Sequence, residues 1–197
     1  MTSLKGTKTA ENLLKSFAGE SQARNRYTYY ASVADKEGYK QMRNIFIETA
    51  DNEKEHAKRF YKFLIEGLQG ELPAMIEITA EYPVAQGNTF DNLIAAAEGE
   101  HEEWDELYPA FADVAKEEGF IEIATAFRMI ADAEKSHETR FRKLADNIKN
   151  NKVFEKDSKS NWKCGNCGYI VETKFAPEIC PACIHTQEHF EIFVENY

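Results

Sequence analysis

No cysteine precedes Cys164, so no disulfide can staple the long stretch before it. Long apolar runs are missing too. No window approaches the ~18 consecutive apolar residues of a spanning helix, and the start, Met1 to Lys5, carries no apolar leader-like run, which makes the cytoplasm the expected compartment. Basic residues are scarce, with 24 Lys and Arg against 34 Asp and Glu and a net charge of -10. That balance argues against a nucleic-acid partner, because neutralising phosphates takes clustered Lys and Arg. The chain also has no Gly-x-Gly-x-x-Gly fingerprint for a dinucleotide of its own. What remains is a 197-residue acidic chain, 43% hydrophobic, long enough for one substantial domain or one domain plus a small module.

From about residue 9 to 147 helix formers dominate, and Gly and Pro fall at the few places where helices can end. The spacing predicts four helices. The first covers 9–36, with Leu13, Phe17, Glu20, Tyr27 and Ala31 on one stripe, and the second covers 39–66. The third follows an Asn88-Thr89 cap, aligns Leu93, Ala97, Glu100, Leu107, Phe111 and Val114, and ends before Gly119; the fourth runs to about 150. Short turns at 37–39 and 118–120 pair them as antiparallel hairpins. The intervening segment holds Gly70, Pro73, Pro83 and Gly87 and reads as a crossover. About 20 extended residues reach ~66 Å, beyond the ~42 Å of a 28-residue helix. Two hairpins joined by one long crossover make a ferritin-like arrangement.

Two helices carry the same cassette, Glu53-x-x-His56 and Glu134-x-x-His137, each continuing into Arg-Phe and each interrupting an apolar stripe. A Glu and a His one turn apart on a core face cost several kcal/mol in desolvation if left unpaired, so two such pairs imply a shared metal. The hairpins also repeat: Gly19-Glu20 recurs as Gly99-Glu100 at an offset of 80, and the cassettes recur at 81. A pseudo-twofold then gathers Glu20, Glu53, His56, Glu100, Glu103, Glu134 and His137. The set suits a carboxylate-bridged pair of iron or manganese ions. Tyr27 and Tyr108 either pack or donate to ligand carboxylates. Glu48, Glu55, Glu98, Glu102, Glu138 and His101 fall off the stripes and read as surface.

After Asn150 the composition turns polar, and the stretch to Asn161 reads as a linker or domain edge. Cys164-x-x-Cys167 and Cys180-x-x-Cys183 follow, two knuckles able to bind zinc or a single iron tetrahedrally. Gly168 suits a tight backbone there and Tyr169 a small aromatic core. A module this small needs a metal to fold.

Taken together, the Gly19 to Tyr27 string, the two cassettes, Gly99-Glu100-x-x-Glu103 and the paired cysteine knuckles resemble rubrerythrin over essentially the whole chain. The resemblance implies a mainly α, ferritin-like four-helix bundle over 1–150 and a small β-rich, rubredoxin-like module over 151–197. It implies two non-haem irons on the seven carboxylates and histidines, with Tyr27 and Tyr108 beside them, and one iron on Cys164, Cys167, Cys180 and Cys183. Zinc or manganese in either site stays open. One departure is Ile184, where free-standing rubredoxins usually place Gly. The implied activity is reduction of hydrogen peroxide to water, protecting against oxidative stress. Electrons come ultimately from NADH through a separate reductase or a rubredoxin, and a homodimer or higher homo-oligomer brings one chain's module to another's bundle. Two other readings remain: a ferroxidase that handles iron in a shell, and a zinc-ribbon helical adaptor.

Overall fold

The computed structural model describes residues 3–196, so the outermost positions of the two expected segments, 1–2 and 197, lie outside the described residues. The chain forms α1 (Lys8–Lys36), α2 (Lys40–Gly67), α3 (Thr89–Glu102), a five-residue π turn (Glu103–Leu107), α4 (Tyr108–Glu117) and α5 (Ile121–Lys149). Three strands follow, β1 (Glu155–Cys164), β2 (Ile170–Phe175) and β3 (Phe190–Ile192). Among the described residues no helix is long and apolar enough to cross a membrane.

The helix ends follow from local chemistry. Thr7 caps α1 by accepting from the Ala10 N–H, and Asn88 caps α3 by accepting from Asp91, as the Asn88-Thr89 pair suggested. Both hairpin turns close the same way. Gly38 and Gly119 sit at φ 79° and 87°, and the following N–H groups of Tyr39 and Phe120 reach back to Ala34 and Ala115. A residue with a Cβ would pay for that left-handed position, which glycine enters freely. The crossover between Gly67 and Asn88 contains no helix beyond its first turn-like residues.

Each long helix is apolar near both ends of its buried stripe and acidic between. One core cluster gathers Leu13, Phe60, Phe63, Phe127 and Tyr108; a second gathers Tyr27, Tyr30, Phe46, Leu93 and Phe141. Glu20, Glu53 and Glu134 fall between the two clusters along their own helices and are buried.

The third helix departs from expectation. Regular α periodicity predicts Leu107, Phe111 and Val114 on the buried stripe, but Tyr108, Ala112 and Ala115 are buried instead, each one residue later. The π turn at Glu103–Leu107 takes up one extra residue and rotates everything after it.

The second correction concerns the polar stretch to Asn161, read as a linker or domain edge. From Glu155 onward it is strand. β1 pairs antiparallel with both β2 and β3, in the order β2-β1-β3, and its backbone hydrogen bonds hold a segment whose side chains face mostly outward. Trp162 fills the module's core with Cys164, Ala176, Cys180 and Phe190, its indole N–H donating to the Thr173 carbonyl. The module meets the bundle at the α1–α2 turn, where Tyr39 stacks on Phe154 and Lys40 pairs with Glu188.

Candidate metal centre

Six of the seven expected carboxylates and imidazoles converge. Glu20, Glu53, His56 and Glu134 offer ligand atoms within 4.8 Å of one another, and so do Glu53, Glu100, Glu134 and His137. The two groups share Glu53 and Glu134. Glu134 places Oε1 2.8 Å from His56 Nδ1 and Oε2 2.8 Å from His137 Nδ1. Glu53 does the same with Oε2 at 3.0 Å from His56 and Oε1 at 3.2 Å from His137. Two carboxylates thus span two imidazoles whose ring centroids lie 6.0 Å apart. Glu20 completes the His56 side and Glu100 the His137 side, at 3.9 and 3.7 Å.

These atoms are close without satisfying each other. Glu20 Oε2, Glu53 Oε1, Glu100 Oε2, both Glu134 oxygens and His137 Nδ1 are buried with no aligned hydrogen-bond partner. Polar atoms that crowd together while pointing past one another converge on a shared point, which is the arrangement cations require. The donor set fits two metal ions.

Without metal, the charges must be balanced by protons. Burial opposes charge on both imidazoles, yet Glu134 and Glu53 push His56 up to about 10, and Glu100 with the same two carboxylates pushes His137 up to about 12. Burial raises Glu100 to about 8, with the charge of Glu53 adding to it, and burial with Glu103 lifts Glu20 well above the ordinary carboxylate range. Divalent cations replace those protons on binding.

Both tyrosines donate, each across the pseudo-twofold. Tyr27 Oη on α1 bonds Glu100 Oε1 at 2.6 Å, and Tyr108 Oη on α4 bonds Glu20 Oε1 at 2.5 Å. Tyr27 lies seven positions after Glu20 and Tyr108 eight positions after Glu100; the π turn absorbs the difference. Glu103 stands outside both four-residue groups, on the π turn, where it lines a cavity beside Gly19, Tyr82 and Tyr108.

Glu138, read as surface, is buried. It accepts from Trp104 Nε1 at 2.5 Å and Arg142 Nε at 2.6 Å, and His101 Nδ1 lies 3.2 Å away. Its position directly after His137 hid it, since neighbours in a helix point about 100° apart and only one of them fits the stripe. The other five residues read as surface, Glu48, Glu55, Glu98, Glu102 and His101, keep substantial exposure.

In the module all four cysteine sulfurs lie within 4.8 Å of one another. Cys164 and Cys183 are 3.8 Å apart, and Cys167 and Cys180 3.7 Å. A tetrahedral ion at ~2.3 Å from each sulfur sets adjacent sulfurs about 3.8 Å apart, so this site also fits its metal. The His185 backbone N–H holds the Cys183 thiol down at about 6, favouring thiolate. Gly168 takes φ 80°, as its knuckle requires, and Ile184 adopts φ 61° where glycine is usual.

The family model described as rubrerythrin matches residues 11–145, and the rubrerythrin rubredoxin-like domain matches 162–191. Rubrerythrin of Clostridium perfringens is 65% identical over the full length of both chains. Among solved structures, partially reduced nigerythrin is 28% identical at a TM-score of 0.63, covering 98% of this chain and 92% of its own. Desulfovibrio desulfuricans bacterioferritin, whose diiron site was captured in different catalytic states, is 26% identical at a TM-score of 0.64, covering 74% and 82%. With a candidate di-iron carboxylate–histidine site in its bundle and a four-cysteine rubredoxin-like site behind it, this chain belongs to the rubrerythrin family.

Proposed function

We propose that the chain reduces hydrogen peroxide to water at the carboxylate–histidine centre. Electrons arrive one at a time through the four-cysteine centre from a separate reductase or rubredoxin fed by NADH. In this assignment Glu20, Glu53, His56, Glu100, Glu134 and His137, with Glu103 beside them, would hold two iron ions, and Cys164, Cys167, Cys180 and Cys183 would hold the relay iron. Residues 1–150 carry the reaction and 151–197 the relay. The observation that carries this reading is the double reach of Glu53 and Glu134, each with one oxygen beside each imidazole.

Paired irons, when bound, supply two electrons to one O–O bond, avoiding the one-electron cleavage that releases hydroxyl radical. The chain's own groups do the rest. Tyr27 and Tyr108 fix the end carboxylates; burial, with the charge of Glu100 on Tyr27 and of Glu103 on Tyr108, lifts both phenols well above their usual range, so they orient and do not release their protons. Forming two waters takes up two protons. Glu103 is suited to deliver one from a carboxyl oxygen, because burial and the charge of Glu100 favour its neutral form. The module touches the bundle at Tyr39 and Lys40, some 20 Å along α2 from Glu53 at 1.5 Å per residue, which supports relay between subunits of a homo-oligomer.

Anaerobic stopped-flow tests the activity. The reduced, iron-loaded protein is expected to be oxidised by H2O2 far faster than by O2. The reverse order would make the chain a ferroxidase or oxidase.

A further inference from the structure

Beside the carboxylate cluster a cavity of about 290 Å³ opens between α1, the α3–α4 line and the crossover. Its outer wall is fastened down. Tyr82 Oη donates to the Lys15 carbonyl at 2.8 Å, Arg26 Nη1 to that of Pro83 at 3.1 Å, and Tyr30 Oη to that of Ala85 at 2.6 Å. Tyr82, Pro83 and Ala85 belong to the crossover and their partners to α1, so the segment is tied down at two points of the cavity wall and at a third just beyond it.

The lining is unlike what hydrogen peroxide alone requires. A water takes ~30 Å³ of liquid, and a molecule of two oxygens fills only a small part of this volume, which sits near the lower end of small-ligand pockets. Leu107 and Phe111 line it: the π turn rotates them to the edge of the core, where they pack on it from one side and face the cavity from the other. Gly19 and Gly99, the residues before Glu20 and Glu100, line it with no side chain. At its inner side Glu103 and Tyr108 connect it to the carboxylates, Tyr108 through its bond to Glu20.

We propose that this cavity binds organic hydroperoxides carrying a compact apolar group, seats that group on Leu107 and Phe111, and directs the O–O bond past Glu103 toward the carboxylate–histidine centre. The inference rests on the peroxidase function above and names a second substrate class for it. The reaction is ROOH + 2 e− + 2 H+ → ROH + H2O. The O–O bond breaks, the outer oxygen leaves as water and the inner one stays on carbon as an alcohol; the two electrons are those of the reduced di-iron centre, replenished through the four-cysteine iron.

The test uses the full-length, iron-loaded protein, with cumene hydroperoxide and H2O2 as substrates. Binding is read separately by the methyl-proton relaxation of 2-phenylpropan-2-ol, the product alcohol, which paramagnetic iron nearby accelerates. The wild-type protein is expected to reduce cumene hydroperoxide and to enhance the alcohol's relaxation. Gly19→Leu projects a side chain into the cavity and is expected to lower the ratio of cumene hydroperoxide to H2O2 kcat/KM by about tenfold or more, with loss of the relaxation effect. Gly19→Ala guards against misfolding, since its Cβ would stand 3.6 Å from Tyr82 and 3.8 Å from Glu103, ordinary contact distances, and it is expected to shift the ratio the same way by a smaller factor. H2O2 turnover with neither cumene hydroperoxide turnover nor relaxation enhancement would overturn the proposal and leave the peroxidase function standing. An unchanged ratio in both variants would also overturn it. Loss of turnover with both substrates in the wild type would overturn the function itself.

Discussion

Ile184 pays for its place with backbone strain. A β-branched residue at φ 61° crowds its Cβ against the following carbonyl, a cost of about 1–2 kcal/mol, and with 72% of its surface exposed Ile184 recovers little through packing. The position is imposed by the knuckle, where its N–H returns to the Cys180 carbonyl at 2.9 Å. Ile184→Gly removes the strain and gives back about 0.4–1 kcal/mol through a freer unfolded chain, so a net gain of roughly 0.5–1 kcal/mol is expected. The denaturant midpoint of the metal-loaded module, followed by its thiolate absorption, should rise; a lower midpoint would mean the side chain packs in a way its exposure denies. One residue off the bundle's stripe the lesson differs. Glu138 gave no periodic signal, and its burial is intelligible through Trp104, Arg142 and His101, partners that come from the π turn, its own helix and α3.

At the scale of elements, the π turn is the feature on which the site's asymmetry depends. Its trace was present in the sequence: Glu20 and Glu100 are offset by 80, but Tyr27 and Tyr108, like the cassettes, by 81, so one residue is gained between Glu100 and Tyr108. Pro109 marks the same place, because it brings no N–H to the helix and tolerates a register break just before it. The helices, the Gly38 and Gly119 turns and the crossover were legible because they rest on local periodicity and backbone freedom. β1 was not, since Glu155, Ser160 and Asn161 pair through backbone groups that any polar sequence possesses, with an irregularity between the first two. Trp104 holds the π turn to α5 through its bond to Glu138, with Lys135 over its ring at 4.5 Å. Trp104→Phe keeps the ring and removes the N–H, leaving a buried carboxylate one donor short. A loss of about 1–3 kcal/mol is expected, with faster amide exchange appearing first at 103–107. Uniform exchange along the helix would remove the latch role from Trp104.

Across the whole molecule, the bundle is two apolar clusters separated by an acidic layer, a design that is stable only when that layer is neutralised. Ions do this in the loaded protein and protons in the empty one, which sets opposite pH responses. Glu100 rises from its ordinary 4.5 to about 8 when folded without metal. A raised folded value means its contribution to stability is complete below 4.5 and disappears as pH climbs through 8. His56 and His137, at about 10 and 12, contribute fully below 6.5 and lose that contribution from there upward, while Glu20 and Glu103, raised by burial well above the ordinary carboxylate range, act in the same direction as Glu100. Glu53, whose histidine partners hold it below its ordinary value, acts only in more acid solution. The metal-free bundle should therefore lose thermal stability steadily from about pH 5 to pH 8. The iron-loaded bundle should gain it over the same range, because each ion displaces protons and binds more tightly as they leave. Calorimetric scans of both forms at matched pH decide the matter: parallel profiles would mean that the acidic layer does not hold the metals.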